Sequence, residues 1–310
     1  MRFNRKMITM LVALATASSV MTVGTGEARA TSPAMRQAAV APETAAPETV
    51  APETAAAAAV ALPRPDHVVI VVLENHAYGQ VIQNPNAPYI SSLASQGANL
   101  TQSFGVTHPS EPNYLALYSG STQGLTDDSC PHTYSSANLG QQLIAAGRTF
   151  AGYSEGMPSD GYTGCNSGRY ARKHNPWVNF TNVPASANLR YSRFPTDYTK
   201  LPTVSFVVPD LCNDMHDCSV ATGDAWVKRN LDGYVQWAKT HNSVFLLTFD
   251  EDDRSASNRI PTVLVGQHVT TAASSQQVNH YGVLRTLQDM YGLACIAKTC
   301  GASPITGIWN

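Results

Sequence analysis

The residues 67–75 read HVVIVVLEN, seven consecutive residues that are almost wholly apolar and then Glu-Asn. A run without polar alternation has no solvent-facing side. It must be a strand covered on both faces, the situation of a parallel sheet clad in helices. The same pattern returns in TVSFVVPD (203–210), SVFLLTFDED (243–252), RIPTVLVG (259–266) and, more weakly, RTFAGYSE (148–155). Between these runs lie segments of helical periodicity: 88–97, 137–147, 222–240 and 279–292. Alternation of strand and helix predicts an α/β domain, a mostly parallel central sheet with helices on both faces.

Residues 63–310 suit one such domain, large enough for a substantial core. The preceding 62 residues read differently. Arg2, Arg5 and Lys6 precede a short apolar stretch that ends at Ala28-Arg29-Ala30, the form of an export signal over 1–30 with an A-x-A cleavage site. The apolar stretch is too short and too polar for a transmembrane anchor. Residues 31–62 repeat APET and then run into alanines, a composition that builds no core and predicts an extended tether. The chain is therefore expected to be secreted. Its formal net charge of −2 gives no case for a nucleic-acid partner or a charged membrane patch.

Six cysteines in an exported chain read as three disulfides. Spacing suggests the local pairs Cys212–Cys218 and Cys295–Cys300, leaving Cys130–Cys165, although fifteen connectivities are possible. A zinc site is the rival reading, weakened by the lack of any C-x-x-C pair.

The strands close on acids: Glu74-Asn75 after the first, Asp210 with Asp214, His216 and Asp217 beyond another, and Asp250-Glu251-Asp252-Asp253 after a third. In an open parallel sheet these ends face one crevice, where ligands bind. Asp and Asn also favour the turns that follow strands, which explains each cluster separately. Three clusters in a chain only 14% charged point further, because gathered carboxylates repel unless a cation neutralises them. Oxygen ligands with one or two histidines suit Ca, Mg, Mn, Zn or Fe as the divalent ion.

THPSEPNYLALYSG (107–120) places Ser110 where a helix N-cap belongs, with Tyr114, Leu115, Leu117 and Tyr118 as the apolar face and Gly120 as the stop. Two readings stand side by side: a capped helix and no more, or a nucleophile at the positive end of a helix whose free N–H groups receive an anion. His108 either bonds within this turn or serves the site. His174 is loop-borne beside Asn175 and Pro176, suited to binding phosphate or protonating a leaving oxygen. His216 would be oriented by its cysteine loop. Arg169, Arg172 and Lys173 are the nearest basic residues, and one of them suits phosphate oxygens.

Taken together, VVLENHAYGQVI, NAPYISSLASQGANLTQSFGVTHPSEPNYLALYSGST, YARKHNPWVNF, VVPDLCNDMHDCS, LLTFDEDD and NHYGVLRTLQDMYGL resemble the bacterial phosphoesterase family. That group includes secreted acid phosphatases and phosphatidylcholine-type phospholipases C, and is similar to the alkaline-phosphatase superfamily. The resemblance covers residues 65–295. It implies Glu74 and Asn75 as a first metal-binding pair, Asp250 and Glu251 as a second, and Ser110 as nucleophile and metal ligand. His280 falls where a late metal- or phosphate-binding histidine stands. Asp214 and His216 occupy the middle acidic-histidine segment with a D-x-H spacing that departs from D-x-x-x-H. DEDDRS replaces the D-E-H-G-G of the phospholipase branch. The resulting expectation is a secreted, metal-dependent acid phosphatase acting on small phosphate monoesters. The alternatives are a phosphodiesterase or phospholipase C and, from another class, a non-catalytic surface-binding module.

Overall fold

A computed structural model describes residues 61–310; the expected signal segment and all but the last two residues of the APET tether lie outside the described residues. The elements run β1 (His67–Leu73), α1 (Tyr78–Val81), α2 (Pro88–Gln96), β2 (Ala98–Phe104), α3 (Ser110–Ser119), α4 (Leu139–Ala145) and β3 (Phe150–Ser154). A two-residue hairpin follows, β4 (Asn166–Ser167) with β5 (Tyr170–Ala171), then β6 (Asn188–Arg190), β7 (Val204–Val208), α5 (Val220–Ala238), β8 (Ser243–Phe249), β9 (Thr262–Gly266), β10 (Ala272–Asn279) and α6 (His280–Tyr291).

Eight strands form one sheet in the order β10-β2-β9-β8-β1-β7-β3-β6. All neighbours pair in parallel except β9, which runs antiparallel to both β8 and β2. The α/β expectation is met, with β1 at the centre. Its successive side chains divide between two cores, as a period of two requires. Val68, Ile70 and Val72 face a layer with Tyr114 and Leu117 of α3, Leu143 of α4 and Leu284 of α6. Val69, Val71 and Leu73 face another with Ile90 and Leu93 of α2 and Trp226, Leu231 and Tyr234 of α5. Each such aliphatic side chain contributes about 1.5–3 kcal/mol on burial, which no alternating amphipathic strand could gain on both sides. Leu62 packs against the first of these layers.

Three strands have no apolar run behind them. β10 alternates exposed and half-buried Ser and Gln residues at the sheet edge, and β2 and the three-residue β6 are mixed. Their pairing partners, not their composition, make them strands. The cysteine pairing is as expected: Cys130–Cys165, Cys212–Cys218 and Cys295–Cys300. Among the described residues no helix is long and apolar enough to cross a membrane.

Helix α3 corrects one detail of the sequence reading. Pro109 is the N-cap and Ser110 the first helical residue, because the Ser110 hydroxyl is turned toward Glu74 instead of capping backbone. All ten residues of α3 are buried, polar ones included. It ends at Gly120, whose φ of +67° is left-handed; a Cβ there would stand 2.7 Å from the Ile296 carbonyl oxygen.

Candidate active site

The carboxyl ends of β1 and β8 and the segment after β7 deliver Glu74, Asp250, Glu251 and Asp214 to one place, all buried. The first turn of α3 brings Ser110 among them. Its Oγ donates to Glu74 Oε2 at 3.1 Å and lies 3.5 Å from Glu251 Oε1. Tyr114, one turn on, gives its hydroxyl to Glu74 Oε1. Asn113 ties the preceding turn: its Oδ1 accepts the amides of Val106 and Thr107, and its Nδ2 donates to Thr107 O and to Glu251 Oε2. Asn113, which the sequence reading left unassigned, and Tyr114, which it placed on the apolar face, are site residues; their i+3 and i+4 spacing from Ser110 was the available signal.

Asn75 has φ of +55°, a left-handed conformation that Asn tolerates better than most residues. Its backbone amide thereby reaches Asp250 Oδ1 at 3.0 Å and its Nδ2 reaches Glu74 Oε2 at 3.2 Å. His174 is buried (1% exposed), stacked on Tyr114 and wedged between acids. Its Nε2 lies 3.2 Å from Glu74 Oε1 and its Nδ1 3.2 Å from Asp214 Oδ2, though neither contact is aligned as a hydrogen bond. Donor atoms of Glu74, His174 and Asp214 all lie within 4.8 Å of one another. His280 Nε2 donates to the Asp250 carbonyl at 2.6 Å, and its Nδ1 has no partner. His108 Nδ1 is 2.7 Å from Glu251 Oε2, with Nε2 3.3 Å from Asp252. His216 is exposed, its Nδ1 2.7 Å from Asp217 Oδ1 and its ring 5.8 Å from that of His174. The Cys212–Cys218 bridge closes this segment around Met215, held at φ +80°. Such a conformation costs a non-glycine residue about 1–3 kcal/mol and persists only where neighbours impose it.

The structure sorts the acids that the sequence grouped. Asp210 accepts the amides of Cys212 and Asn213, and Asp252 those of Arg254, Ala256 and Asn258, so both are turn formers. Glu74, Asp214, Asp250 and Glu251 remain, and their proton affinities record the crowding. Burial, with Asp250 and Asp214 adding repulsion, holds Glu74 well above the carboxylate range. Burial likewise raises Asp214, lifts Asp250 to about 6 and lifts Glu251 to about 8. It keeps His174 and His280 neutral, the latter down to about 4. Buried Oδ2 atoms of Asp214 and Asp250 and Nε2 of His174 lack hydrogen-bond partners. Orphaned buried acceptors are rare in folded proteins, and here they occur together. A divalent cation fits this donor set: two carboxylate oxygens and an imidazole nitrogen without competing hydrogen bonds, with Glu74 beside them.

A largely parallel sheet with this acidic crevice at its strand ends is an α/β fold of the alkaline-phosphatase-like kind. A solved alkaline phosphatase superfamily protein from Vibrio parahaemolyticus superposes with a TM-score of 0.56 at 13% identity, over 80% of this chain and 72% of that one. Residues 80–294 match the phosphoesterase family model. The chain belongs to the phosphoesterase family and is a phosphoric-ester hydrolase. It is 52% identical to a phosphatidylinositol-3-phosphatase of Mycobacterium tuberculosis, over 82% of this chain and 86% of that protein. It is 32% identical to a phosphate-repressible acid phosphatase of Penicillium chrysogenum over 77% of its length, but spans only 62% of the fungal enzyme. The binding-module alternative is thereby set aside.

Proposed function

We propose that this chain is an exported, metal-dependent phosphatase that hydrolyses phosphate monoesters through Ser110. The observation that carries the reading is the Ser110 hydroxyl at the start of α3, which donates to Glu74 and lies 3.5 Å from Glu251, in a cluster where Asp214 Oδ2 and Asp250 Oδ2 are buried without hydrogen-bond partners. A serine hydroxyl is a poor nucleophile at neutral pH. A divalent ion held by Glu74, Asp214, Asp250 and His174, with Asn75 and Glu251 at its margin, would lower the proton affinity of that hydroxyl and neutralise phosphoryl charge. For His174, read from sequence as a phosphate binder or a proton donor to the leaving oxygen, burial between two acids favours the role of ligand.

Tyr114 and Asn75 fix the two oxygens of Glu74, and His280 holds the Asp250 backbone. Ser110 Oγ passes its proton to Glu74, the acceptor of its hydroxyl, and bonds to phosphorus as the bond from phosphorus to the ester oxygen breaks; the proton returns to Oγ when water later releases phosphate. His216, aimed by Asp217 and open to solvent, protonates the departing ester oxygen and then takes a proton from the water that releases phosphate. Both relatives carry names of monoester phosphatases, which favours that substrate over a phosphodiester and makes an inositol 3-phosphate head group the first to test. Three disulfides support an oxidising compartment, and with it the export reading.

The test is phosphate release from p-nitrophenyl phosphate and from bis-p-nitrophenyl phosphate by purified protein, before and after chelation and with each candidate ion restored. Monoester turnover that chelation abolishes and an ion restores is expected. Turnover indifferent to chelation would overturn metal dependence, and a preference for the diester would overturn the substrate class.

A further inference from the structure

The start of α3 is poorer in free amides than a helix N-terminus usually is. Its first turn offers the N–H groups of Ser110 and Glu111 and, because residue 112 is proline, no third. Glu111 N–H is already taken by Asp128 Oδ1 at 2.9 Å. The amides of Val106 and Thr107, just before the helix, are taken by Asn113. An incoming phosphoryl group therefore meets at most the Ser110 amide at this helix end.

A cation stands beside this gap. Asp128, whose one oxygen holds Glu111, offers the other to Lys173 Nζ at 2.8 Å. Among the described residues Asp128 is the sole hydrogen-bond acceptor of that ammonium, so two of its three donors remain. The Lys173 side chain is 21% exposed, neither buried in a closed pair nor free in solvent. Its backbone is rigid. It lies in the short 3₁₀ turn Arg172–His174, where Arg172 bonds Thr163 O, His132 O, Val178 O and the Asn179 side chain, while His174 is wedged between Glu74 and Asp214. Those bonds take four of the five Arg172 guanidinium N–H donors, so it has no free two-donor fork to offer a phosphate. Lys173 is close enough for its charge to act on Glu74.

We infer that Lys173 binds the non-bridging oxygens of the substrate phosphoryl group, in the place the missing helix amides leave, and that Asp128 is the positioning residue that aims it. The inference rests on the monoester reading above and deepens it: a dianionic monoester offers the ammonium more charge than a diester does. The loop carrying Asp128 runs directly into Cys130, which is bridged to Cys165, so the strap that aims Lys173 is itself anchored.

The experiment compares inorganic phosphate binding by calorimetry and p-nitrophenyl phosphate kinetics in the metal-loaded wild type, Lys173→Met, Lys173→Arg and Asp128→Asn. Lys173→Met should weaken phosphate binding and lower kcat/KM by about 100-fold, the scale of one preorganised donor to a developing anion. Melting temperature and metal content should be unchanged. Asp128→Asn, which touches no substrate, should weaken phosphate binding by about 10-fold, and Lys173→Arg should recover most of the Lys173→Met loss. Wild-type phosphate affinity in Lys173→Met, or full affinity in a folded Asp128→Asn, would overturn the inference. Should Lys173→Met unfold, Asp128→Asn still decides, because the lysine is present and only its aim is lost. Ser110→Ala separates this from the nucleophile reading: turnover surviving in that variant refutes Ser110, while phosphate affinity of the Lys173 variants continues to judge Lys173.

Discussion

Replacing Asp250 with Asn should move stability in opposite directions with and without metal. In the metal-free protein the Asp250 carboxyl is fully buried and raised from its ordinary 3.8 to about 6, chiefly by loss of hydration. At about 1.4 kcal/mol for each tenfold change in proton affinity, keeping it ionised at pH 7 costs the fold about 3 kcal/mol. Asn keeps the shape, and its Oδ1 can still accept the Asn75 amide that Asp250 Oδ1 accepts at 3.0 Å. The chelated variant should therefore be more stable than chelated wild type by about 3 kcal/mol, or about 6–12 °C in Tm for a domain of this size. Adding a divalent ion at a thousand times its Kd should stabilise wild type by about 4 kcal/mol and the variant by little, reversing their order. Urea denaturation in chelator and in excess metal measures both. A chelated Asp250→Asn protein less stable than chelated wild type would refute the premise that this carboxylate is held against its own solvation for a cation's sake.

Chelated wild type should lose stability as pH rises from about 6.5 to 8. Glu251 is raised to about 8, and Glu74 and Asp214 lie well above their ordinary range. Acids bound more tightly to their protons in the fold contribute stability at low pH that is lost as pH passes through the folded value. Below about 6.5, His280, kept neutral to about 4 by burial, works the other way, so the upper window is the clean one; flat stability there would contradict the crowding. Ser110→Ala should abolish turnover, by at least about 10³-fold, while metal content measured by atomic absorption stays at wild-type level. Mild reductant should lower activity before it lowers Tm, because the Cys212–Cys218 bridge closes a span of only six residues around Asp214 and His216, and short loops contribute least to global stability; simultaneous loss of both would place that bridge in the core of the fold instead.

The sequence by itself determined the layered architecture, since runs such as 67–73 and 243–249 have no polar side to show water and must be covered twice. It also determined which strand ends carry acids, and the serine turn, because these are local facts of composition and spacing. β2, β6 and β10 were not legible, as half-exposed polar strands owe their state to neighbours distant in the chain. Tertiary structure alone decided which acids were free. Asp210 and Asp252 are consumed by amides within a few residues, whereas Glu74, Asp214 and Asp250 meet one another across separations of up to 176 residues, with one oxygen each of Asp214 and Asp250 unsatisfied. It alone moved His174 into their midst and set Asp128 between Glu111 and Lys173. The physical reason is common to all three. Turn formation is settled over a few bonds of backbone, but the charge and hydration of a buried group depend on what the folded chain packs around it, and no local pattern encodes that.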